Sequence, residues 1–294
     1  MRKLLTTKFG YKVFAEQPTP QELQEHYATV YYQNPYGTYQ ENYSSEEMLQ
    51  RRSRIELLEH FININLNVNS NSEKSFLDVG CGEGFVLQHF KDKNWKIAGL
   101  DFSTHGVRKN NPSIEEFITQ GDIYRSIYDL TNLRVKFSVI FLGNVLEHVL
   151  NPDDLVEIIK PLLSENGLFC ITVPNDFSKL QKHLLKESLV TSEYWLTYPD
   201  HLNYFNLETL GNLLHEKGFD VIDNFCDFPI EWFLTNSNSN YVMDKTKGKA
   251  AHNSRVSLDY LINMNENISA KMEFWRSMSN LGFGRTITVL ARAK

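Results

Sequence analysis

The chain has 294 residues, of which 41% are hydrophobic and 22% charged, and its formal net charge is −6. This composition is typical of a globular protein with a substantial apolar core, and the length suits one large domain or one domain with an appendage. The acidic balance, with no dense cluster of lysine and arginine, disfavours a nucleic-acid partner.

The sequence shows neither a recognisable targeting signal nor a pattern of paired cysteines. No apolar run approaches the roughly 20 residues of a membrane span, and the first residues lack the apolar core of a signal peptide. A cytoplasmic location is therefore expected. The three cysteines, Cys81, Cys170 and Cys226, show no paired spacing, so neither a disulfide framework nor a zinc site is predicted.

The first 62 residues are predicted to form a helical lid. Thr19, Pro20 and Glu22 have the pattern of a capped helix start. A second helical pattern runs from Ser45 to Ile62. Between them lie tyrosines that fit either a lid over a ligand or ordinary packing against a sheet edge: Tyr27, Tyr31, Tyr32, Tyr36, Tyr39 and Tyr43.

Residues 63–226 are predicted to form an α/β core, entered through an asparagine-rich linker at residues 63–72. Strand and helix patterns alternate there, as a parallel sheet with right-handed crossovers requires. Residues 227–285 are predicted to be a helical insertion, and residues 286–294 the antiparallel final strand. The seven predicted strands are Ser75–Val79, Lys96–Leu100, Glu116–Thr119, Ser138–Leu142, Leu168–Val173, Asp220–Cys226 and Thr286–Ala291. We therefore expect a doubly wound, Rossmann-like sheet.

A glycine-rich turn follows the first core strand and is the most informative motif. Its glycines let the backbone pass close under a ligand, and the following helix presents free N–H groups there. The second core strand ends in Asp101, an acid placed to accept both hydroxyls of a ribose. A dinucleotide fingerprint would place its third glycine at Phe85, but here it is Gly84. That departure argues against a pyrophosphate ligand.

The other strand ends complete a candidate nucleoside site, because ligands of open α/β sheets bind beyond the carboxyl ends of the strands. Asp122 could contact an adenine amino group, with Ile123 beside the ring. The spacing and order of these motifs resemble those of class I S-adenosylmethionine (SAM)-dependent methyltransferases. The resemblance implies SAM as cofactor, S-adenosylhomocysteine (SAH) as product, and cofactor contacts from Asp78, Gly80, Cys81, Gly82, Gly84, Asp101, Phe102, Asp122, Ile123 and Asn144.

Two histidines are candidate general bases. His201 lies in a loop with Tyr198 and Asp200, which could orient it or the acceptor, and it is the first choice. His148 follows the fourth strand in a Leu-Glu-His motif; it could equally bind the SAM carboxylate or cap the next helix. Carboxylate and imidazole ligands at Glu147, His148 and Asp200 could also recruit a divalent metal. No close-spaced helical ligand pair supports that metal, so none is predicted.

The loop from Tyr198 to Phe205 resembles the Tyr-x-Glu-His-x-x-x-Phe loop of methyltransferases that act on nucleotide-linked deoxysugars, with Asp200 in place of the glutamate. The amino-terminal residues resemble sugar C-methyltransferases without their cysteine zinc domain, and residues 227–233 resemble methyltransferases of bacterial cell-surface polysaccharide synthesis. These resemblances imply a small acceptor, most simply a sugar hydroxyl of a nucleotide sugar or surface glycan.

Two alternatives stay open at this point. One is O-methylation of a phenolic or quinol precursor, which the Leu-Glu-His motif also fits. The other is a SAM-binding module without catalysis. His252 and Arg255 could contact an anionic acceptor such as a diphosphate. The sequence does not indicate which oligomeric state the protein adopts.

Overall fold

The computed structural model describes residues 2–26, 43–67, 73–264 and 267–294. Five of the six tyrosines of the predicted lid, from Tyr27 to Tyr39, lie outside these residues. The chain forms two compact units. The hairpin unit comprises Met1–Leu57, Pro174–Thr209 and Asn224–Ile287, and the sheet unit comprises Leu58–Val173, Leu210–Asp223 and Thr288–Lys294.

Ten strands and ten α-helices are named here in chain order. The strands are β1 (Leu4–Thr6), β2 (Lys12–Phe14), β3 (Ser75–Val79), β4 (Lys96–Asp101), β5 (Ile118–Gln120), β6 (Phe137–Gly143), β7 (Leu163–Pro174), β8 (Asn203–Tyr204), β9 (Phe219–Cys226) and β10 (Thr286–Ala293). The helices are α1 (Pro20–His26), α2 (Ser45–Asn65), α3 (Phe85–Asp92), α4 (His105–Asn110), α5 (Ile123–Asn132), α6 (Pro152–Ile159), α7 (Lys179–Lys186), α8 (Leu207–Glu216), α9 (Gly248–Asn263) and α10 (Ile268–Asn280).

The large sheet has seven strands in the order β5-β4-β3-β6-β7-β10-β9. Neighbours from β5 to β7 pair in parallel. β10 runs antiparallel to β9, because the Asp227 N–H donates to the Thr286 carbonyl at 3.2 Å and the Lys294 N–H to the Gly218 carbonyl at 2.9 Å. The predicted Rossmann-like sheet of seven strands is confirmed.

The central strands are apolar along most of their length. Leu77, Val139 and Ile140 are fully buried, as expected for parallel strands covered by helices on both faces. Continuous apolar runs of this kind, alternating with amphipathic helices, predict such a sheet from the sequence. No helix of the described residues is long and apolar enough to cross a membrane.

The hairpin unit holds a second sheet of three strands, in the order β1-β2-β8. β2 pairs antiparallel with β1 and with β8, where Val13 lies opposite Asn203. The sequence predicted only helix for the first 62 residues, so this hairpin is a difference. Strands of two or three residues carry almost no period-2 signal, and β8 reaches its partners only through tertiary folding.

The chain passes between the units five times, whereas the prediction interrupted the core once, between residues 63–226 and the final strand at 286–294. The main difference concerns residues 174–209, assigned to the core from sequence and found in the hairpin unit. The physical reason is the pairing of β8 with β2 and the packing of aromatic rings around it. Phe14 contacts Tyr198 and Tyr204 edge-on, with ring centroids 5.1 and 5.7 Å apart.

The segment between β9 and β10 is helical, as predicted. It contains α9 and α10, preceded by 3₁₀ turns at Ile230–Thr235 and Lys245–Lys247. α2 extends to Asn65, three residues into the predicted linker. Thr19 begins α1 with the predicted capping pattern: the Glu22 N–H donates to the Thr19 hydroxyl at 3.2 Å, and the Glu22 carboxylate accepts from the Thr19 N–H at 2.7 Å.

Candidate active site

The glycine-rich turn after β3 adopts a backbone that side chains rarely allow. Gly80, Gly82 and Gly84 have φ of 78°, 55° and 77°. A Cβ on Gly80 would lie 2.4 Å from Val145 Cγ2. The Gly80 N–H donates to the Leu100 carbonyl at 2.7 Å, tying the turn to the end of β4. Glycine is thus required at Gly80 by both torsion angle and space.

Two buried acids flank this turn. Asp78 is 3% exposed and Asp101 5%. The Asp101 carboxylate accepts from the Gly82 N–H at 2.7 Å and from the Ser103 N–H at 2.9 Å, so it is held at the tip of β4. Burial, and next the nearby Asp101 charge, raise the pKa of Asp78 well above its usual range.

The remaining predicted cofactor residues also lie at strand ends of the sheet unit. Asp122 is exposed and caps α5, with its carboxylate accepting from the Arg125 N–H at 2.9 Å. Ile123 is half-buried, and Phe102 is exposed. Asn144 follows β6 with φ of 58°, and its N–H donates to the Thr172 carbonyl at 2.9 Å. The sheet unit therefore contains all ten predicted cofactor residues.

Cys81 is buried within the turn, and so are Cys170 and Cys226; all three are free thiols. Burial raises the pKa of each thiol above its usual range. A thiol that stays protonated is a poor nucleophile. Cys81 can therefore shape the turn without taking part in covalent chemistry.

Sequence reasoning missed the contacts that hold the far side of the turn. A Cβ on Gly106 of α4 would lie 3.0 Å from the Gly82 carbonyl oxygen. The Asn111 amide donates to the Glu83 carbonyl at 2.7 Å, and the Asn110 amide donates to the Glu83 carboxylate at 2.9 Å. Nothing in the local pattern signals these contacts, because they join residues more than twenty positions apart.

These residues fit SAM. The glycine turn offers close backbone approach for the methionine end, Asp101 offers carboxylate oxygens for the ribose, and Asp122 with Ile123 offers a polar and an apolar contact for the adenine. The observation that carries the fit is the buried Asp101 carboxylate, which the Gly82 and Ser103 N–H groups hold at the tip of β4 beside the glycine turn.

The candidate base His148 lies in the sheet unit, just beyond β6. The His148 N–H donates to the Val145 carbonyl at 3.0 Å, which fixes the backbone after the strand. His148 Nε2 lies 3.7 Å from the carboxylate of Glu147, whose side chain is 1% exposed. Glu147 and His148 thus place a carboxylate beside an imidazole directly after β6.

The other candidate base, His201, lies in the hairpin unit with Tyr198 and Asp200; all three are half-buried. The His201 N–H donates to the Thr197 carbonyl at 3.0 Å, and the Tyr204 hydroxyl donates to the His201 carbonyl at 2.8 Å. Arg2 lies over the Tyr198 ring at 3.6 Å from its centroid. Tyr198, Asp200 and His201 therefore lie in one loop, which these hydrogen bonds and the cation–π contact hold in place.

A methyltransferase-domain family model matches residues 48–224, which is more than half of the chain. The chain therefore belongs to this methyltransferase family. Together with the sheet order, this makes it a class I SAM-dependent methyltransferase, with SAM as its cofactor.

Relatives with known activity are ubiquinone biosynthesis O-methyltransferases. That of Glaesserella parasuis serovar 5 is 29% identical over 124 residues, covering 40% of this chain and 52% of the relative. That of Pelagibacter ubique is 24% identical over 185 residues, covering 56% of this chain and 72% of the relative. The chain thus spans about half the length of the first relative. The predicted resemblance to sugar and polysaccharide methyltransferases gains no support from these matches.

Solved structures show the same fold at low identity. A SAM-dependent methyltransferase from Archaeoglobus fulgidus has a TM-score of 0.51 and 18% identity, covering 84% of this chain and 94% of the other. The [4+2]-cyclase SpnF has a TM-score of 0.51 and 16% identity, covering 94% of this chain and 97% of the other. At such identity the likeness shows the fold alone.

Proposed function

We propose that the protein transfers the methyl group of SAM to a hydroxyl oxygen of a phenolic or quinol acceptor. The observation that carries this proposal is the pair formed by His148 and the buried Glu147 directly after β6. The similarity to ubiquinone biosynthesis O-methyltransferases supports the same acceptor class. The glycine turn, Asp101 and Asp122 are the proposed cofactor contacts.

When bound, SAM supplies an electrophilic methyl group on a sulfonium, which leaves as the neutral thioether SAH. His148 accepts the hydroxyl proton of the acceptor as the oxygen–methyl bond forms. A phenol has a pKa near 10, within reach of an imidazole base. The Glu147 carboxylate stabilises the resulting imidazolium, and the proton then passes to solvent.

A sugar hydroxyl is the second candidate acceptor. Asp200 and His201 favour it, because polar side chains in a loop suit a hydroxylated ligand. The third polar residue of that loop argues against it: Asn203 is 2% exposed and paired within β8, so its side chain is withdrawn from solvent. Of these three polar side chains, the loop therefore offers Asp200 and His201 to an acceptor.

The test is SAH release from SAM with mass detection of the product. The panel contains a catechol, a para-quinol and several nucleotide sugars, each with and without a metal chelator. We expect a one-methyl gain on a phenol. Methylation of a nucleotide sugar alone would contradict the proposal, as would tight SAH binding with no turnover on any acceptor. A loss of turnover with chelator would assign a divalent metal to the reaction.

A further inference from the structure

One face of α9 carries an arginine, Arg255, that forms no ion pair with any acid in the part of the chain that the structure describes. Gly248, His252, Arg255 and Asp259 are spaced at i, i+4, i+7 and i+11, which places them on one side of the helix. Arg255 and His252 are half-buried and Asp259 is buried. An arginine removed from water in this way requires either an anion or a full set of hydrogen bonds.

The acids near Arg255 are already engaged by other groups. Arg54 Nη2 lies 3.3 Å from Asp227 and 3.8 Å from Asp259. Asp227 also accepts from the Thr286 N–H at 2.6 Å, and Asp259 accepts from the Asn263 amide at 2.8 Å and from the Gln50 amide. Their carboxylate oxygens therefore serve α2, α9 and the start of β10.

Arg255 has no carboxylate within 4.0 Å among the residues that the structure describes. Its Nε is fully buried and lacks a hydrogen-bond partner. Within the described part of the chain its hydrogen-bond contact is with His252, whose Nδ1 lies 3.4 Å from Arg255 Nη2. Burial and the like charge of Arg54 lower the pKa of Arg255. The guanidinium is thus a strong donor that the described residues leave without an acid.

Tyr241 and a cavity lie along this part of α9, and Arg255 is next in sequence to Val256, which lines the cavity. Tyr241 packs at the first turn of α9, where a Cβ on Gly248 would lie 3.9 Å from the Tyr241 Cβ. Burial and Glu231 raise the pKa of Tyr241 to about 12, so its hydroxyl keeps its proton. His252 lines a cavity of about 750 Å³ between α2 and α9, together with Ser53 and Ser257.

From this geometry we propose that Arg255, His252 and Tyr241 form a binding site for an oxyanion carried by the acceptor, a carboxylate or a phosphate. That the anion belongs to the methyl acceptor rests on the proposed function. That an anion binds at Arg255 rests on the contacts described above. Glu46 and Glu47 also line the cavity. Glu46 bonds to the Ser45 hydroxyl, and Glu47 accepts from the Ser44 N–H at 2.9 Å and caps α2. These bonds hold both carboxylates at the start of α2.

Calorimetric titration of the full chain with 4-hydroxybenzoate and with inorganic diphosphate, at constant ionic strength, tests the site without relying on turnover. We expect saturable binding of at least one probe and a loss of about 10- to 100-fold in affinity for Arg255→Gln. The matched control is Lys249→Gln, the same charge change at an exposed position of α9. It should bind within about twofold of the parent.

The outcomes separate the two possible sources of the anion and the two proposals. Binding of the benzoate alone assigns a carboxylate, and binding of diphosphate alone assigns a nucleotide-linked or other phosphorylated acceptor. Equal affinity in Arg255→Gln, or no binding to the parent chain, overturns the site. If Arg255→Gln does not fold, His252→Gln replaces it, with an expected loss of about threefold or more. SAH binding and turnover on phenols, measured separately, decide the proposed function.

Discussion

At the scale of single residues, the carboxylate of Asp101 joins the ends of β3 and β4. It accepts from the N–H groups of Gly82 and Ser103. Four acceptor sites on a carboxylate allow these bonds and a ribose as well. The same oxygens therefore serve the fold and the proposed ribose contact.

We predict that Asp101→Asn weakens SAH binding about 10- to 100-fold. The amide keeps the size of the side chain but loses the charge and one pair of acceptor sites. Calorimetry on the two proteins measures the change. Asp129→Asn, the same substitution at an exposed position of α5, is the control and should bind SAH like the parent. Parental affinity in Asp101→Asn would remove this residue from the cofactor site.

His148 is the second residue with a defined expectation. His148→Gln should lower kcat on the phenolic acceptor by about 10²- to 10⁴-fold, the usual contribution of a general base. SAH affinity should stay within about twofold, because the predicted role concerns the proton. Exposed His183 on α7 gives the control His183→Gln. If His201→Gln loses activity and His148→Gln does not, the base lies in the hairpin unit.

At the scale of elements, glycines in different surroundings should respond oppositely to alanine. Gly80→Ala forces a side chain into φ of 78° and to 2.4 Å from Val145, so we expect a loss of about 1–3 kcal/mol in unfolding free energy. Gly211 lies within α8 with open space around its Cβ. Gly211→Ala should raise stability by about 0.5–1 kcal/mol. Urea unfolding of the three proteins measures both; destabilisation by Gly211→Ala would contradict the second expectation.

The hairpin at residues 4–14 supports the loop that contains Tyr198, Asp200 and His201. β8 adds to it as a third strand, and Phe14 packs against Tyr198 on one side and Tyr204 on the other. Tyr204 in turn holds the His201 carbonyl. A loop braced in this way keeps its side chains in place without any bound ligand, which is what a pre-organised site requires.

At the scale of the whole molecule, stability should depend on pH through a buried charge cluster in the hairpin unit. Asp176 is fully buried, with Arg285 Nη1 at 3.2 Å from its carboxylate and 3.7 Å from that of Glu231. Burial raises the pKa of Asp176 to about 6, although Arg285 opposes the change. Burial also raises the pKa of Glu231. Two carboxylates thus share one guanidinium.

The sign follows from the raised pKa. The folded chain holds the Asp176 proton more tightly than the unfolded chain, whose pKa is near 3.9. The stabilisation is fully present below that value and is lost as pH rises through about 6. We expect unfolding free energy to fall by about 2–3 kcal/mol between pH 4 and pH 8 from this group. Urea unfolding of Asp176→Asn should show a flatter profile, whereas exposed Glu165→Gln should keep the parental slope.

Local sequence determined the sheet and the strand-end positions of the proposed cofactor residues. A strand of buried apolar residues, a turn that needs glycine at Gly80 and Gly84, and an acid at the end of the next strand are read from short stretches. Parallel strands bring their carboxyl ends to one edge, so the positions of Asp101, Asp122 and Asn144 followed from the order of the elements.

Tertiary structure alone decided the rest. Three sets of contacts join residues that are distant in sequence. Val13 pairs with Asn203 and Arg285 with Asp176. Arg54 forms ion pairs with Asp227 and Asp259. Periodicity reports only which face of an element is apolar, whereas the partner of a strand edge or of a buried charge depends on where other elements come to rest. For this reason the strand-end positions of the proposed cofactor residues could be predicted from the sequence, and the surroundings of His201 and Arg255 could not.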